Sequence, residues 1–375
     1  MFFRDIKGHT KVKESLVKMP AENRVSHAYM FAGPEGSGKL ALAVAFAQYL
    51  NCESPVNGDS CGECSSCKKY AKLVHPDLHF VFPVVKTAAE KAPVSDTYIA
   101  KWREFVLNKK HFNLNQWFSY LDAEKAQGMI YTQESREIIN KLNLKTFEGK
   151  YKVMIIWLPE KMHLTASNKL LKILEEPPAG TVFILVSDNP DSVISTIVSR
   201  TQQIRIPPFS PEDIKEVLME KYGLDEENAL GYARLANGNI VNAEEMVEGS
   251  EDLDMFFDNF VSLMRKAYTR SLQDLINWGD EMSRLSREKQ KSFFEYCLRL
   301  VRENYIMNLK DDELVYLTPK ERTFSEKFSP FINDNNVHKI AEEFSLAHSH
   351  ISQNGNSRII FMDIILKIII LIKNR

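Results

Sequence analysis

The sequence predicts a parallel-sheet α/β domain of nucleotide-binding type, followed by segments that are helical throughout. Three observations predict it. The apolar run Ala28-Tyr29-Met30-Phe31-Ala32 leads into Gly33-Pro34-Glu35-Gly36-Ser37-Gly38-Lys39, and 40–47 continues as an apolar helix. Strand, glycine loop and helix in that order are the context a phosphate-binding loop requires. Two further runs, Lys152-Val153-Met154-Ile155-Ile156-Trp157 and Val182-Phe183-Ile184-Leu185-Val186, are almost uninterrupted apolar residues, as in strands of a sheet covered on both faces. A helix over 166–176 separates them and stops at Pro177-Pro178, because proline cannot continue a helix. This alternation of strand and helix is that of a parallel α/β domain.

The glycine loop departs from its pattern at one position. Glycines let backbone N–H groups close on phosphate oxygens, and Lys39 supplies a point charge. The next residue should be Ser or Thr, whose hydroxyl is a Mg²⁺ ligand; here it is Leu40. Gly33, Gly36, Gly38 and Lys39 therefore form a candidate phosphate site lacking part of its catalytic apparatus. Lys39 has two readings, ATP or ADP binding without hydrolysis and an inherited loop that holds no nucleotide.

Segment 87–131 fits the α/β frame poorly, being rich in Lys, Asn, Gln and aromatic residues, and reads as an insertion with some helix of its own. After Ile204-Arg205-Ile206 comes a stiff joint, Pro207-Pro208-Phe209-Ser210-Pro211, with Ser210 placed as N-cap and Pro211 at the first helical position. Two helical units are expected over 211–247. Gly249-Ser250-Glu251-Asp252 is a second joint, and amphipathic helices fill the remainder.

A chain of 375 residues is long enough for two or three domains. A formal net charge of −2 excludes a global polycation that grips nucleic acid by bulk charge. The start, Met1-Phe2-Phe3-Arg4-Asp5, lacks the basic and apolar regions of a secretory signal. The apolar run 359–372 is short for a membrane span and is interrupted by Asp363 and Lys367. Four residues apart on a helix, these two can pair, and the run reads as a buried closing helix. The expectation is a soluble, cytoplasmic protein without membrane contact.

Of five cysteines, Cys52, Cys61, Cys64 and Cys67 crowd one segment, and Cys297 reads as a small core residue. The spacing C-x8-C-x2-C-x2-C is interspersed with Pro55, Asn57, Gly58, Asp59 and Gly62, residues that make tight turns. A loop of this kind can bring four thiolates to the tetrahedral corners that Zn²⁺ prefers. Disulfides are disfavoured outside secretion, and nothing nearby gives a Cys₄ iron–sulfur cluster an electron-transfer context. Structural zinc is expected, with no open coordination position for chemistry.

These residues resemble a known family. Asp5-Ile6-Lys7-Gly8-His9, Ser26-His27-Ala28-Tyr29-Met30-Phe31 and the four-cysteine module are similar to the bacterial DNA polymerase III clamp loader, of the AAA+ class. The most specific match is Leu164-Thr165-Ala166-Ser167-Asn168-Lys169-Leu170-Leu171-Lys172-Ile173-Leu174-Glu175-Glu176-Pro177-Pro178. Ser199-Arg200-Thr201 resembles the family's Ser-Arg-Cys element, with Thr in the Cys position, and Leu235-Ala236-Asn237-Gly238-Asn239 also fits. The resemblance covers residues 1 to about 245; beyond them Asn356-Ser357-Arg358 is the one suggestive match.

The resemblance implies three domains: an AAA+ α/β domain over 1–207 with the zinc module at 52–67, a small helical lid over 208–249, and an all-α collar over 250–375. Motor subunits of the family carry an acidic pair at the end of the second strand, and the corresponding positions here are Trp157 and Leu158, with Glu160 beyond the strand. The family's lid arginine falls near Val241. With the hydroxyl at position 40 and the acidic pair both missing, the pattern resembles the non-motor branch, delta-prime, and hydrolysis is expected to be negligible. Arg200 stands where the family's arginine finger acts in trans on a neighbouring subunit; its alternative role is a structural ion pair. Partners implied are the gamma/tau ATPase subunits, the delta subunit, the sliding clamp and primed DNA. The rival readings are an active gamma/tau-like ATPase motor, against which Trp157-Leu158 speaks, and a free-standing helicase or recombination factor, against which the cysteine module and the Glu-Glu-Pro-Pro ending speak.

Overall fold

The computed structural model describes residues 1–87, 90–123, 128–309 and 314–373. The chain forms two compact units, Met1–Lys221 with Ala236–Ala243, and Tyr222–Leu235 with Glu244–Arg375. The expected lid segment, 208–249, contributes residues to both.

The first unit holds a five-stranded sheet: β1 (Ala28–Ala32), β2 (Leu78–Val81), β3 (Lys152–Trp157), β4 (Thr181–Ser187) and β5 (Gln202–Arg205). The order is β2-β3-β4-β1-β5 and every pairing is parallel. The register sets Ala32 opposite Ser187 and Trp157 opposite Val186, so the ends of the three central strands lie side by side. Every residue of β3 and β4 is buried, which is why both were legible as apolar runs. Two strands were not read from the sequence. β2 is only four residues with His79 among them, and β5 is an edge strand, Gln-Gln-Ile-Arg, with no fully buried residue. Edge strands carry polar residues that give no hydrophobic signal.

Helices cover both faces: α1 (Thr10–Ala21), α2 (Lys39–Leu50), α3 (Ser65–Ala71), α4 (Ile99–Asn108), α5 (Leu114–Tyr120), α6 (Glu134–Asn143), α7 (Leu164–Glu175), α8 (Ser195–Val198) and α9 (Pro211–Tyr222). Alternation along each strand divides the core in two. Phe31, Ile155 and Ile184 pack with α2 and with aromatic residues of α4 and α5. Met30, Ile156 and Leu185 pack with α6 and α7. In α2 every residue except Tyr49 is buried, as expected of a helix apolar on all sides. α7 begins before the expected position 166, because His163 Nδ1 accepts the Thr165 N–H at 3.2 Å and caps an earlier turn. The insertion supplies α4 and α5; its residues 88–89 and 124–127 lie outside those described. Ser210 caps α9, its Oγ accepting the Asp213 N–H at 3.1 Å while Asp213 accepts the Ser210 N–H at 3.2 Å.

The other helices are α10 (Glu226–Leu235), α11 (Ile240–Glu248), α12 (Ser250–Thr269), α13 (Leu272–Ser283), α14 (Arg287–Met307), α15 (Pro319–Phe328), α16 (Val337–Ser352) and α17 (Ser357–Leu371). Three helices, not two, occupy 211–248. The missed break follows α9, and beyond it Asp225 accepts the Asn228 N–H at 3.0 Å to start α10. The joint expected at 249–252 reduces to Gly249. In α17, Ile360, Phe361, Ile364, Ile365 and Ile368 are buried, Asp363 pairs with Lys367 at 2.8 Å, and Lys367 also meets Glu343 of α16 at 2.7 Å. Cys297 is buried in this core. Among the described residues no helix is long and apolar enough to cross a membrane.

Candidate functional site

The chain leaves β1, between β4 and β5 in the sheet, and turns through 33–38 into α2. Gly36 has φ +72°, and a side chain there would put Cβ 1.8 Å from Asn239 Oδ1; the Ile240 N–H donates to the Gly36 carbonyl at 3.2 Å. Glycine is thus required both by the left-handed backbone and by the close approach of the 236–243 segment. His9 Nε2 donates to the Ser37 carbonyl at 2.9 Å, and burial lowers the pKa of this imidazole. The loop is thus held by the 236–243 segment and by His9.

Its lysine is already engaged. Lys39 is 4% exposed, and its Nζ meets Asp188 Oδ1 at 2.7 Å, Ser37 Oγ at 3.2 Å and the Pro34 carbonyl. Asp188 follows β4 and is positioned by Glu160, whose Oε1 accepts the Asp188 and Asn189 N–H groups at 2.9 and 3.2 Å. Burial raises the pKa of Glu160. This carboxylate, legible only as a residue past the end of β3, serves to hold the loop that neutralises Lys39.

Trp157 and Leu158 are 5% and 3% exposed. The Trp157 ring lies 5.2 Å from those of Trp102 and Phe112, so an aromatic cluster surrounds the end of β3. The cleft is lined by residues that include Gly36, Lys39, His111, Phe112, Trp157 and Val241, and has a volume of about 30 Å³. Ligand pockets are typically ~300–1,000 Å³. Asp188 and Phe112 were missed in the sequence. An acidic residue just past a central parallel strand is a usable signal, because ligands bind at that sheet edge; the insertion offers no comparable pattern.

Arg200 lies two residues beyond α8 and does not line this cleft. Its Nη1 donates to the Thr196 carbonyl at 2.9 Å, and Nη2 pairs with Glu175 at the end of α7. The side chain is about one third exposed.

The four-cysteine loop begins just past the other end of α2. Its first turn is a tight hairpin, Val56-Asn57-Gly58-Asp59, with the Val56 and Asp59 backbones exchanging bonds of 2.9 and 3.0 Å and positive φ at Asn57 and Gly58, the signature of an Asn-Gly type I′ turn. Asp59 accepts the Phe3 and Arg4 N–H groups at 3.2 and 3.0 Å, tying the loop to the N-terminal turn. The ligand atoms of Cys52, Cys61, Cys64 and Cys67 all lie within 4.8 Å of one another, with Cys61 and Cys67 sulfurs 3.9 Å apart. Four sulfurs about 2.3 Å from a tetrahedral zinc would stand roughly 3.8 Å apart. N–H groups of Cys61, Cys64 and Cys67 point at the sulfurs of Cys52, Cys61 and Cys64 at 3.3 to 3.4 Å. That of Cys64 contributes most to lowering the Cys61 pKa to about 6, whereas burial raises those of Cys52 and Cys67. Buried thiols resist ionisation unless a cation stands among them; the cluster could hold a metal ion, and its geometry and donors fit zinc.

Residues 8–210 match the family described as DNA polymerase III, delta subunit. The chain belongs to this family. It is 29% identical over 241 residues to the Bacillus subtilis DNA polymerase III subunit delta′, covering 64% of this chain and 60% of that one. It is 31% identical over 182 residues to the Pseudomonas aeruginosa subunit delta′, covering 48% and 43%. A Haemophilus influenzae tau/gamma subunit is 27% identical over 243 residues, covering 64% and 29%. The chain thus spans 60% or less of the length of each of these relatives. Among solved structures, a Thermotoga maritima gamma subunit-related protein overlaps 96% of this chain and 99% of its own at 15% identity, with a TM-score of 0.39.

Proposed function

We propose that this member of the delta-subunit family is a non-motor, stator-type subunit of a bacterial DNA polymerase III clamp loader, of the delta-prime kind. The observation that carries the reading is Trp157-Leu158, buried in an aromatic cluster at the positions where the motor subunits hold their acidic pair. With Leu40 after the loop lysine, the site has no hydroxyl and no carboxylate pair to organise Mg²⁺ and water, and phosphoryl transfer depends on that organisation. In this reading 1–207 is the AAA+ domain, 208–249 the lid and 250–375 the collar through which the subunit assembles. Partners are the gamma/tau ATPase subunits and the delta subunit, and through them the sliding clamp and primed DNA, in the cytoplasm. Cys52, Cys61, Cys64 and Cys67 hold a structural Zn²⁺ that fixes the 52–67 loop.

Arg200 then acts in trans. A guanidinium forks onto phosphate oxygens, and an arginine finger can raise hydrolysis roughly 10³- to 10⁵-fold. Its exchange partner in the free chain is Glu175, a half-exposed carboxylate. The test is ATP hydrolysis by the purified chain, alone and mixed with gamma/tau and delta. No turnover alone, with stimulated turnover in the complex, is expected. Turnover by the chain alone that disappears in Lys39→Ala would establish the gamma/tau-like motor reading instead.

A further inference from the structure

The phosphate-loop cleft is filled from inside the molecule, and the filling comes from the insertion. α4 and α5 are rooted on the sheet by aromatic contacts: Trp102 stacks on Phe82 at 4.1 Å and 11°, Trp117 meets Trp102 at 5.1 Å edge-on, and Trp117 Nε1 donates to the Pro83 carbonyl at 3.0 Å. The turn between the two helices is pinned at both ends. The Lys109 N–H donates to the Phe105 carbonyl at 2.8 Å, and Asn113 Oδ1 accepts the Gln116 N–H at 2.9 Å. This turn carries Phe112, 9% exposed, against Trp157 at 5.2 Å. It also carries His111, 6.0 Å edge-on to Phe209, whose ring packs against Gly38 of the loop.

The geometry points to an internal plug: the 109–113 turn of the insertion, through His111 and Phe112 against Trp157, occupies the nucleotide position over Gly36–Lys39 and closes the loop to nucleotide. Two independent features act together. The aromatic side chains remove the space, leaving about 30 Å³, room for a water rather than a nucleotide. Asp188, 2.7 Å from Lys39, supplies the anion that a phosphate would otherwise provide. The proposal rests on the reading of 33–39 as a nucleotide-type loop, and not on the stator or finger roles. It decides between the two readings of Lys39 in favour of a loop that holds no nucleotide.

The test is binding of N-methylanthraniloyl-ADP with Mg²⁺ to the full chain. Wild type is expected to show no saturable binding up to millimolar concentration. His111→Gly/Phe112→Ala should bind at least tenfold more tightly, and adding Lys39→Ala should remove the gain. Micromolar binding by wild type, or a folded double variant that binds no better than wild type, would overturn the plug. If the double variant does not fold, hydrogen exchange of the wild type decides. Peptides covering 33–39 and 109–113 should exchange slowly and identically with and without millimolar Mg-ADP, and ligand-dependent slowing in either overturns the proposal. Nucleotide binding without hydrolysis would sink the plug and leave the non-motor reading standing, whereas hydrolysis by the chain alone would sink both.

Discussion

One buried helix, α2, has a recognisable loop at each end. At its N-terminus is the phosphate loop, 33–39; just beyond its C-terminus begins the cysteine loop, 52–67. Both matched known patterns in the sequence, but their situations differ. The cysteine loop draws all four thiols from one stretch of 16 residues, and its sulfurs all lie within 4.8 Å of one another. The phosphate loop depends on residues far along the chain, and those residues, Phe112, Trp157 and Asp188, fill and neutralise it. A self-contained motif carries its chemistry with it, whereas a motif that shares its site with distant segments carries only half.

The largest effect should come from breaking the self-contained loop. Cys64→Ser removes one of four ligands, and metal binding at such sites is coupled directly to folding. Elemental analysis should fall from about one zinc per chain to near none, and the chain should lose stability by several kcal/mol. Iron with a visible absorption band, or a metal-free wild type under reducing conditions, would remove the contrast between the two ends of α2.

Next in size is an attempt to reopen the other end. Trp157→Asp restores a carboxylate to the end of β3. It also deletes a buried indole and places a charge against Trp102 and Phe112. Removing a buried Trp costs about 3–5 kcal/mol, and an unpaired buried carboxylate adds to that. Chemical denaturation should show a loss of ~4 kcal/mol or more without any gain of ATPase activity. A mild effect would mean that the cleft is open to water and that the phosphate loop is no more dependent on distant residues than the cysteine loop.

Legibility in the sequence follows the same division. Strands β1, β3 and β4, the course of 33–39 into α2 and the four cysteines were all readable, since each is a pattern contained in a short stretch of chain, reinforced in β3 and β4 by burial of every residue. β5 was hidden because an edge strand needs few apolar residues, and β2 because four residues are too short a run. Asp188 carried a weak signal, an acidic residue just past a central parallel strand, whereas Phe112 carried none: its role exists only once the insertion is folded against α2, and no spacing along the chain encodes that meeting.

A smaller effect tests the base of the plug. Glu134 at the start of α6 accepts the Ser95 N–H at 2.7 Å, and Ser95 Oγ in turn accepts the Phe82 N–H at 3.0 Å. The other Glu134 oxygen is buried without a partner, and burial raises the pKa from 4.5 to about 7. The native state therefore holds this proton more tightly than the unfolded chain does. Its contribution to stability is complete below pH 4.5 and is lost as pH rises through 7. Glu134→Gln keeps a neutral group at every pH, so it should raise stability by about 1–3 kcal/mol at pH 8 and change little at pH 4.5. Melting curves of both proteins at the two pH values check this; an equal effect at both would show that Glu134 is not held protonated.

The smallest effect on the isolated chain is the most informative for function. Arg200 bonds Glu175 and the Thr196 carbonyl at the surface, and exposed pairs of this kind contribute under ~1 kcal/mol. Arg200→Ala should therefore leave the melting temperature, the zinc content and co-purification with gamma/tau and delta nearly unchanged. In the proposed complex the same substitution should lower ATP hydrolysis, but only in part if each remaining motor site is served by a different neighbour. Arg200→Lys should restore little, since an ammonium is a point charge that cannot fork onto two phosphate oxygens. A structural role predicts the reverse pattern, with melting lowered and complex turnover intact. The two measurements on one variant therefore separate an arginine that stabilises its own domain from one that completes a neighbour's active site. The second outcome would extend the contrast drawn along α2: a chain whose own phosphate cleft is shut would still take part in catalysis through a residue that lies outside that cleft.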